Sequence, residues 1–275
     1  MPEGDTVHRA AALQHRALAG QVLTGFEVRM PGFATVDLTG ETVLEVVSVG
    51  KHLLHRFGGG LSLHSHLTME GAWRTVAPGE RWPRPAFQAR AVLTTDRAVA
   101  IGFELGIAEL LPTAREESVV GHLGPDLLAP SSEHAPDGPS GSARHPWDPA
   151  EAVRRLTADP EAPVFVALLD QRNLAGIGNV YANELCFLRG LLPTRPIGEV
   201  DDPPALVALA RRMLWTNRDR VTRSTTGDLR PGRRTWVYGR TGEHCRRCGT
   251  RLQGGELGRR AGEERTVTWC PACQR

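Results

Sequence analysis

Four of the chain's five cysteines fall in its last 31 residues, as Cys245-x2-Cys248 and Cys270-x2-Cys273 with 21 residues between the pairs. Each Cys-x2-Cys turn brings two sulfurs to one point, and a tetrahedral zinc ion takes four thiolates. The spacing is close to that of zinc ribbons. This stretch is therefore expected to close around one ion, with Thr250–Gln253 and Arg265–Trp269 as strands of a hairpin tipped with Gly and Arg. With all four ligand positions filled the site is structural and offers no open coordination place. Redox-active dithiols or free thiols are the competing use. Cys186 lies apart in a helical stretch and reads as a buried core thiol. A ribbon alone does not name an activity.

Other classes drop out on composition. No run of about 18 apolar residues exists, so no membrane-spanning helix is expected. The start, Met1-Pro2-Glu3-Gly4-Asp5, is acidic and has none of the apolar stretch of a signal peptide. A reducing, cytoplasmic setting is the expectation, where clustered cysteines favour metal over disulfides. Of 275 residues, 40% are hydrophobic and 23% charged, the balance of a globular chain with two domains or so. The break falls at Ser131–Pro146, which holds no Val, Ile, Leu, Met or aromatic residue and reads as a linker. Upstream, residues 6–19 read as a helix. Strand-like runs follow at Val22–Val28, Thr42–Val49, His52–Phe57, Leu61–His66, Ala89–Thr94 and Ala98–Phe103, a β domain of sandwich or barrel type. Downstream, Asp148 can cap a helix over Pro149–Ala158, Pro163 opens one over Val164–Gln171, and Ala205–Val221 is amphipathic.

Charge is unevenly spread. The net charge is +2, but residues 223–275 carry 12 Arg against 5 acidic groups, a net of +7 on a body of −5. Such an end suits a polyanion, and a solvated arginine-rich surface fits the count equally well. Of 33 basic residues a single one is lysine, Lys51, at a turn between two strand-like runs. Where arginine serves everywhere else, a position that keeps the compact, three-donor ammonium stands out. Between two helical patterns, Gly176 and Gly178 permit a tight turn that leaves Asn179 at a helix start. Free N–H groups there can seat a phosphate, and a glycine cap followed by an Asn cap is the plainer reading. Removal of Met1 ahead of the small residue Pro2 would expose a proline amine beside Glu3. An α-amino group titrates at about 7.7–8.0 against about 10.4 for lysine, so roughly a third is unprotonated at pH 7.5. A secondary amine attacking a sugar aldehyde gives a cationic iminium, an electron sink for β-elimination.

Together these residues resemble the formamidopyrimidine-DNA glycosylase/endonuclease VIII family, over nearly the whole chain. The stretches that carry the resemblance are Pro2–Gly4, Gly50–Leu54, His66–Gly71, Leu123–Leu128, Ala175–Glu184, Val237–Gly242 and the run from Cys245 to Gln274. It implies an α+β multidomain fold: an N-terminal β-sandwich with flanking helices over residues 1–130, a linker at 131–146, a helix–two-turn–helix domain at 147–236 and a zinc-ribbon hairpin at 237–275. It implies that Pro2 attacks C1′ of a damaged nucleotide, that Glu3 is the general acid/base, and that Lys51 holds a phosphate and assists elimination. Asn179 would grip a backbone phosphate, and Arg265 would contact phosphates and help the second elimination. Met69 would fill the gap left by a flipped base, and His122 stands where some relatives place a DNA-contacting arginine. One zinc ion on Cys245, Cys248, Cys270 and Cys273, and duplex DNA bearing damaged bases or abasic sites, are the implied cofactor and partner. A monomer is the default expectation.

Departures narrow the branch. Asp5 and Thr6 stand where the family commonly has a proline and a second acid. Arg97–Phe103 shows no Arg-Phe wedge, and Val221–Arg234 is short for a lid over an oxidised purine. The expectation is an endonuclease VIII-like glycosylase and abasic-site lyase of the actinobacterial type, favouring oxidised pyrimidines and cutting by β,δ-elimination. The same chemistry on oxidised purines, and a non-catalytic binder of damaged DNA, are the alternatives. The joint presence of Pro2, Glu3, Lys51 and Arg265 argues against a mere binder.

Overall fold

The computed structural model describes residues 2–130 and 147–275, which form two compact units: residues 2–122, and residues 123–130 with 147–275. The expected linker, Ser131–Pro146, lies outside the described residues.

The first unit opens with helix α1 (Gly4–Leu18), followed by β1 (Leu23–Val28), β2 (Val43–Val49), β3 (His52–Phe57), β4 (Leu61–His66), β5 (Ala72–Val76), β6 (Ala89–Thr95), β7 (Val99–Phe103), β8 (Ile107–Pro112) and the short helix α2 (Glu117–Val120). The strands make two four-stranded antiparallel sheets, ordered β1-β6-β7-β5 and β2-β3-β4-β8. Their inner faces share one core: Phe26, Leu93 and Trp73 from one sheet, Leu53, Phe57 and Leu63 from the other, and Val7, Ala11 and Leu18 from α1. The six strands expected from alternation are present, and β5 and β8 are additional. Their sequences, Ala-Trp-Arg-Thr-Val and Ile-Ala-Glu-Leu-Leu-Pro, are short and mixed, so pairing with long central neighbours rather than their own pattern makes them strands.

The outer face of the β2-β3-β4-β8 sheet carries two groups of polar side chains. At one end Arg56 is gripped by Glu116 and Glu45, each at 2.6 Å, with Ser62 donating to Glu116 at 2.6 Å. At the other end stand His52, His64, His66 and, beside His64, Glu109. The inner face of the same strands carries His55, whose Nε2 lies 2.8 Å from Gln14 Oε1 of α1.

The second unit comprises α3 (Pro149–Leu156), α4 (Val164–Leu169), α5 (Asn179–Arg189), α6 (Pro203–Asn217) and the hairpin β9 (Gln253–Leu257)–β10 (Arg265–Trp269). Asp148 caps α3 by accepting from Ala150 and Glu151 N–H at 2.9 and 3.1 Å, and Asp202 caps α6 from Ala205 N–H at 2.9 Å. Three expectations need correction. Residues 123–130 belong with the helices and not with the β unit: Arg211 donates to Leu127 and Ala129 carbonyls, Trp215 donates to Leu127, and Leu127 and Leu128 lie in the helical core. Helix α6 stops at Asn217 instead of running to Val221. The Asn217 amide exchanges hydrogen bonds with Ser224 backbone (2.9 and 3.1 Å) and so turns the chain. The first hairpin strand is Gln253–Leu257 rather than Thr250–Gln253, because Thr250–Leu252 already bonds across the first cysteine turn (Cys245 N–H to Thr250 O, Leu252 N–H to Glu243 O, both 2.8 Å).

Burial pushes the His55 imidazole from its ordinary 6.5 down to about 3. The folded group stays neutral while the unfolded chain takes up a proton below about pH 6.5, so stability is lost as pH falls through that window. Urea unfolding at pH 7, 6 and 5 should show the native chain losing about 1.4 kcal/mol per pH unit more than His55→Gln below about pH 6. Parallel slopes would clear His55 of that role.

Candidate active site and nucleic-acid interface

Helix α1 places the chain start. Glu3 is its N-terminal boundary residue, with extended backbone and a carbonyl accepting from Thr6 and Val7 N–H at 2.9 and 3.1 Å. Its side chain is fully buried without capping the helix, and Pro2 before it is half-buried. Asp5 is buried and accepts the Thr6 N–H at 2.7 Å. The direction of α1 follows from two contacts: His15 Nδ1 accepts the Val46 N–H at 3.1 Å, and His8 Nδ1 lies 3.5 Å from Ser48 Oγ. Going towards the helix start thus means going along β2 towards Val49 and the turn beyond it. Pro2 and Glu3 lie at the same end of this unit as Lys51.

Lys51 sits in the two-residue connection between β2 and β3, where Val49 and His52 face each other. Gly50 before it has φ of 58°, a left-handed backbone that a side chain would strain. Lys51 is half-buried. Next to it His52 stacks on His64 (ring centres 5.0 Å apart) and meets His66 and His122 edge-on at 5.2 and 6.1 Å. His52 Nδ1 is 2.8 Å from His64 Nε2, and His64 Nδ1 is 2.9 Å from Glu109 Oε1. Burial first, then the neighbouring imidazoles and Lys51, push His52 down to about 3; burial, Lys51 and His64 lower His66. His122, singled out in the sequence, joins this cluster as an exposed side chain. His52, His64 and Glu109 were not singled out, because their proximity arises only from cross-strand register. The His-x-His spacing of His64 and His66 on β4, two residues on one face, was the available signal. Met69 stands in the turn after β4 and is 65% exposed, an unusual position for a methionine that supports no core.

In the second unit the α4–α5 connection is held by Gln171, whose amide donates to Leu169 and Ile177 carbonyls at 2.8 Å and accepts the Gly176 N–H at 3.1 Å. Gly176 has φ of 108°. Gly178 is the boundary residue, so Asn179 is the first residue of α5 rather than its cap. Asn179 is buried, its Oδ1 accepting from Asn183 at 3.1 Å. Asn183 Oδ1 in turn accepts the Thr268 N–H of β10 at 2.7 Å. Glu184, fully buried, accepts the Trp236, Val237 and Tyr238 N–H groups at 2.8 Å each, and the Thr225 hydroxyl. Burial raises its carboxyl above the usual range against these four hydrogen bonds. Helix α5 and the cysteine hairpin are thereby one body. Arg265 is the exposed first residue of β10, donating to Glu264 O at 3.0 Å. The structure brings Asn179 and the strand of Arg265 together through Asn183, and groups Lys51 with His122 in the other unit.

The four cysteine sulfurs lie within 4.8 Å of one another, with Cys248–Cys270 at 3.4 Å and Cys245–Cys273 at 4.0 Å. Four thiolates about 2.3 Å from a tetrahedral ion would stand about 3.8 Å apart. The residues fit one metal ion. Cys186 is buried, and burial pushes its thiol up to about 12, as expected of an inert core group.

A family model for the formamidopyrimidine-DNA glycosylase N-terminal domain matches residues 1–104. A "Probable endonuclease 8 2" of Streptomyces coelicolor is 50% identical over 277 residues, covering all of this chain and 94% of the relative. The chain belongs to the formamidopyrimidine-DNA glycosylase/endonuclease VIII family. A Mycolicibacterium smegmatis protein named "DNA-(apurinic or apyrimidinic site) lyase Nei2" is also 50% identical, covering 100% of this chain and 99% of that one. In fold the chain is similar to Lactococcus lactis formamidopyrimidine-DNA glycosylase, there bound non-covalently to abasic-site DNA, with a TM-score of 0.77, 22% identity and 99% of both chains covered. This likeness shows the two-sheet unit, the helices and the cysteine hairpin to be the family fold. No helix among the described residues is long and apolar enough to cross a membrane.

Replacing Glu184 by Ala leaves three N–H groups, that of buried Val237 among them, without their acceptor. A loss of about 3–5 kcal/mol is expected. Thermal unfolding should show that loss together with faster release of metal to a chelator. A variant with native melting and native metal retention would show that Glu184 does not clamp the hairpin.

Proposed function

We propose that this chain is a bifunctional DNA glycosylase and abasic-site lyase of base-excision repair, acting on duplex DNA that bears oxidised bases, pyrimidines favoured, or abasic sites. The observation that carries the reading is that the chain start and the Lys51 turn lie at the same end of the β unit. Pro2, the fully buried carboxylate of Glu3 and the single lysine among 33 basic residues share that end. The relatives' names support the same activity.

In this reading the Pro2 nitrogen attacks C1′ and gives up its proton, the bond from C1′ to the base breaks, and the ring oxygen takes a proton from Glu3 as its own bond to C1′ opens. The resulting iminium acidifies the C2′ hydrogen. Loss of that proton expels the 3′ phosphate, and a second elimination expels the 5′ phosphate. Lys51 and Asn179 seat phosphates, which position the duplex without reading its sequence. Arg265 contacts phosphates from the hairpin, Met69 fills the stack left by the flipped base, and His122 lies along the backbone. For the preference between lesions, the shortness of the segment from Val221 to Arg234 supports pyrimidines, since it is short for a lid over an oxidised purine. Zinc is the ion that four thiolates at this spacing select, and it holds the hairpin rather than reacting.

Borohydride reduction in the presence of abasic-site duplex should trap a covalent adduct at the N-terminus. A chain with an uncleaved extension before Pro2 should give none, since the proline nitrogen is then an amide. No adduct with the native chain, or an equal yield with the extended one, would overturn the proposed nucleophile. Elemental analysis should find one zinc per chain, and its removal should abolish duplex binding. Unchanged affinity after stripping would separate the hairpin from DNA recognition. Binding should also weaken steeply with salt, as phosphate contacts require.

A further inference from the structure

The outer face of the β2-β3-β4-β8 sheet carries a hydrogen-bonded chain that the chemistry above does not use. Glu109 on β8 lies 2.9 Å from His64 Nδ1, and His64 Nε2 lies 2.8 Å from His52 Nδ1. An ionised carboxylate only accepts, so Glu109 requires a proton on His64 Nδ1. A neutral His64 then accepts at Nε2, which requires a proton on His52 Nδ1. The neutral chain has one tautomer, and it leaves His52 Nε2 as a bare lone pair. The ring that carries it is flanked by His66 and His122 and follows Lys51 directly.

The charged and titratable groups around His52 can be given element by element. The preceding turn contributes Lys51, β4 contributes His64 and His66, β8 contributes Glu109 through His64, and the residue pair after α2 contributes His122. From β2 the directly opposed residue is the apolar Val49. Further along the same face Arg56 is already neutralised by Glu45 and Glu116. On α1, His8 meets Ser48, whose strand partner Leu53 lies in the inner core.

A phosphodiester oxygen is an acceptor with negative charge, and a bare imidazole nitrogen repels it. We propose that seating a DNA backbone phosphate beside Lys51 and His66 places a proton on His52 Nε2, balanced by the His64–Glu109 pair behind it, so that DNA binding is coupled to proton uptake. One N–H bond forms, the proton comes from solvent or buffer, and nothing leaves. The short bond to His64 spreads the new charge towards Glu109, which supplies the counter-charge. His52, His64 and Glu109 are positioning residues in this scheme. The depression of His52 and His66 in the free protein, by burial first and then by the neighbouring imidazoles and Lys51, agrees with it: a proton there is poorly held until an anion arrives. The inference rests on the reading of Lys51 as a phosphate ligand.

The test is isothermal titration of the full, zinc-loaded chain with a duplex holding a tetrahydrofuran abasic-site analogue, which cannot form a Schiff base. Titrations at pH 7 in buffers of different ionisation heat count the protons taken up. The native chain should show net uptake, with affinity falling by up to about tenfold per pH unit on the alkaline side. His52→Gln should abolish this component while still binding duplex, and Glu109→Gln, at a half-exposed site, should diminish it. Circular dichroism checks that both variants fold; should His52→Gln not fold, Glu109→Gln decides alone. Heats independent of buffer in the native chain, or uptake identical in native and variant chains, would overturn the coupling while leaving the DNA reading intact. Absence of duplex binding in every buffer would overturn both.

Discussion

Two consecutive side chains of α5 hold the second unit together. Asn183 and Glu184 point from one helix turn to two parts of the cysteine hairpin: Asn183 to the backbone of β10, Glu184 to three successive N–H groups at Trp236–Tyr238. The hairpin packs Val267, with Leu257 and Trp269, against the helical core, and a smaller cluster joins Phe187 of α5 to Val237, Cys245, Leu252 and Cys270. Buried polar contacts add direction to this packing, which hydrophobic contact alone does not supply. The cost of burying Glu184 is met by four hydrogen bonds, and removing any part of the arrangement leaves unpaired groups.

The same contacts also tie Asn179 to the strand of Arg265, far apart in sequence. Asn179 bonds Asn183, Asn183 bonds Thr268, and Thr268 is on the same short strand as Arg265. Helix α5 thus stands in fixed register with the strand that carries an exposed guanidinium. The +7 end of the chain is not a diffuse basic tail. Several of its arginines are spent internally: Arg240 on the Trp236 and His244 carbonyls, Arg230 on Asp228, Arg259 on Asp170. Among the described residues Arg265 bonds the neighbouring carbonyls of Glu263 and Glu264 and no carboxylate.

How far the sequence reveals this depends on range. Local signals were legible: Asp148 before Pro149 gave a helix start, the paired cysteines gave the closed site, and alternation gave six strands. Where an element ends was less so, since α6 is stopped by a bond from Asn217 to Ser224 and the hairpin by the folding-over of Thr250–Leu252. Neither partner has a pattern visible one residue at a time. The β5 and β8 strands depend likewise on neighbours. The boundary at Leu123 was hidden because Leu123–Leu128 is apolar enough to suit either unit, and only the carbonyls taken by Arg211 and Trp215 decide the matter.

The histidine layer shows the same limit more sharply. His52, His64 and His66 are one cluster because His52 is paired with His66 and His64 with Glu109 in register. A slip of one residue in β4 would send both of its histidines into the core and bring Leu63 and Ser65 out. Register is fixed by the inner face, where Leu53, Phe57 and Leu63 fill the sandwich. Apolar packing on one side of the sheet thus decides which polar groups meet on the other. The lone lysine gains its meaning from that arrangement. The ammonium stands beside His52 and His66, whose imidazoles burial and their neighbours push down, and His64 and Glu109 continue the hydrogen-bonded row behind them.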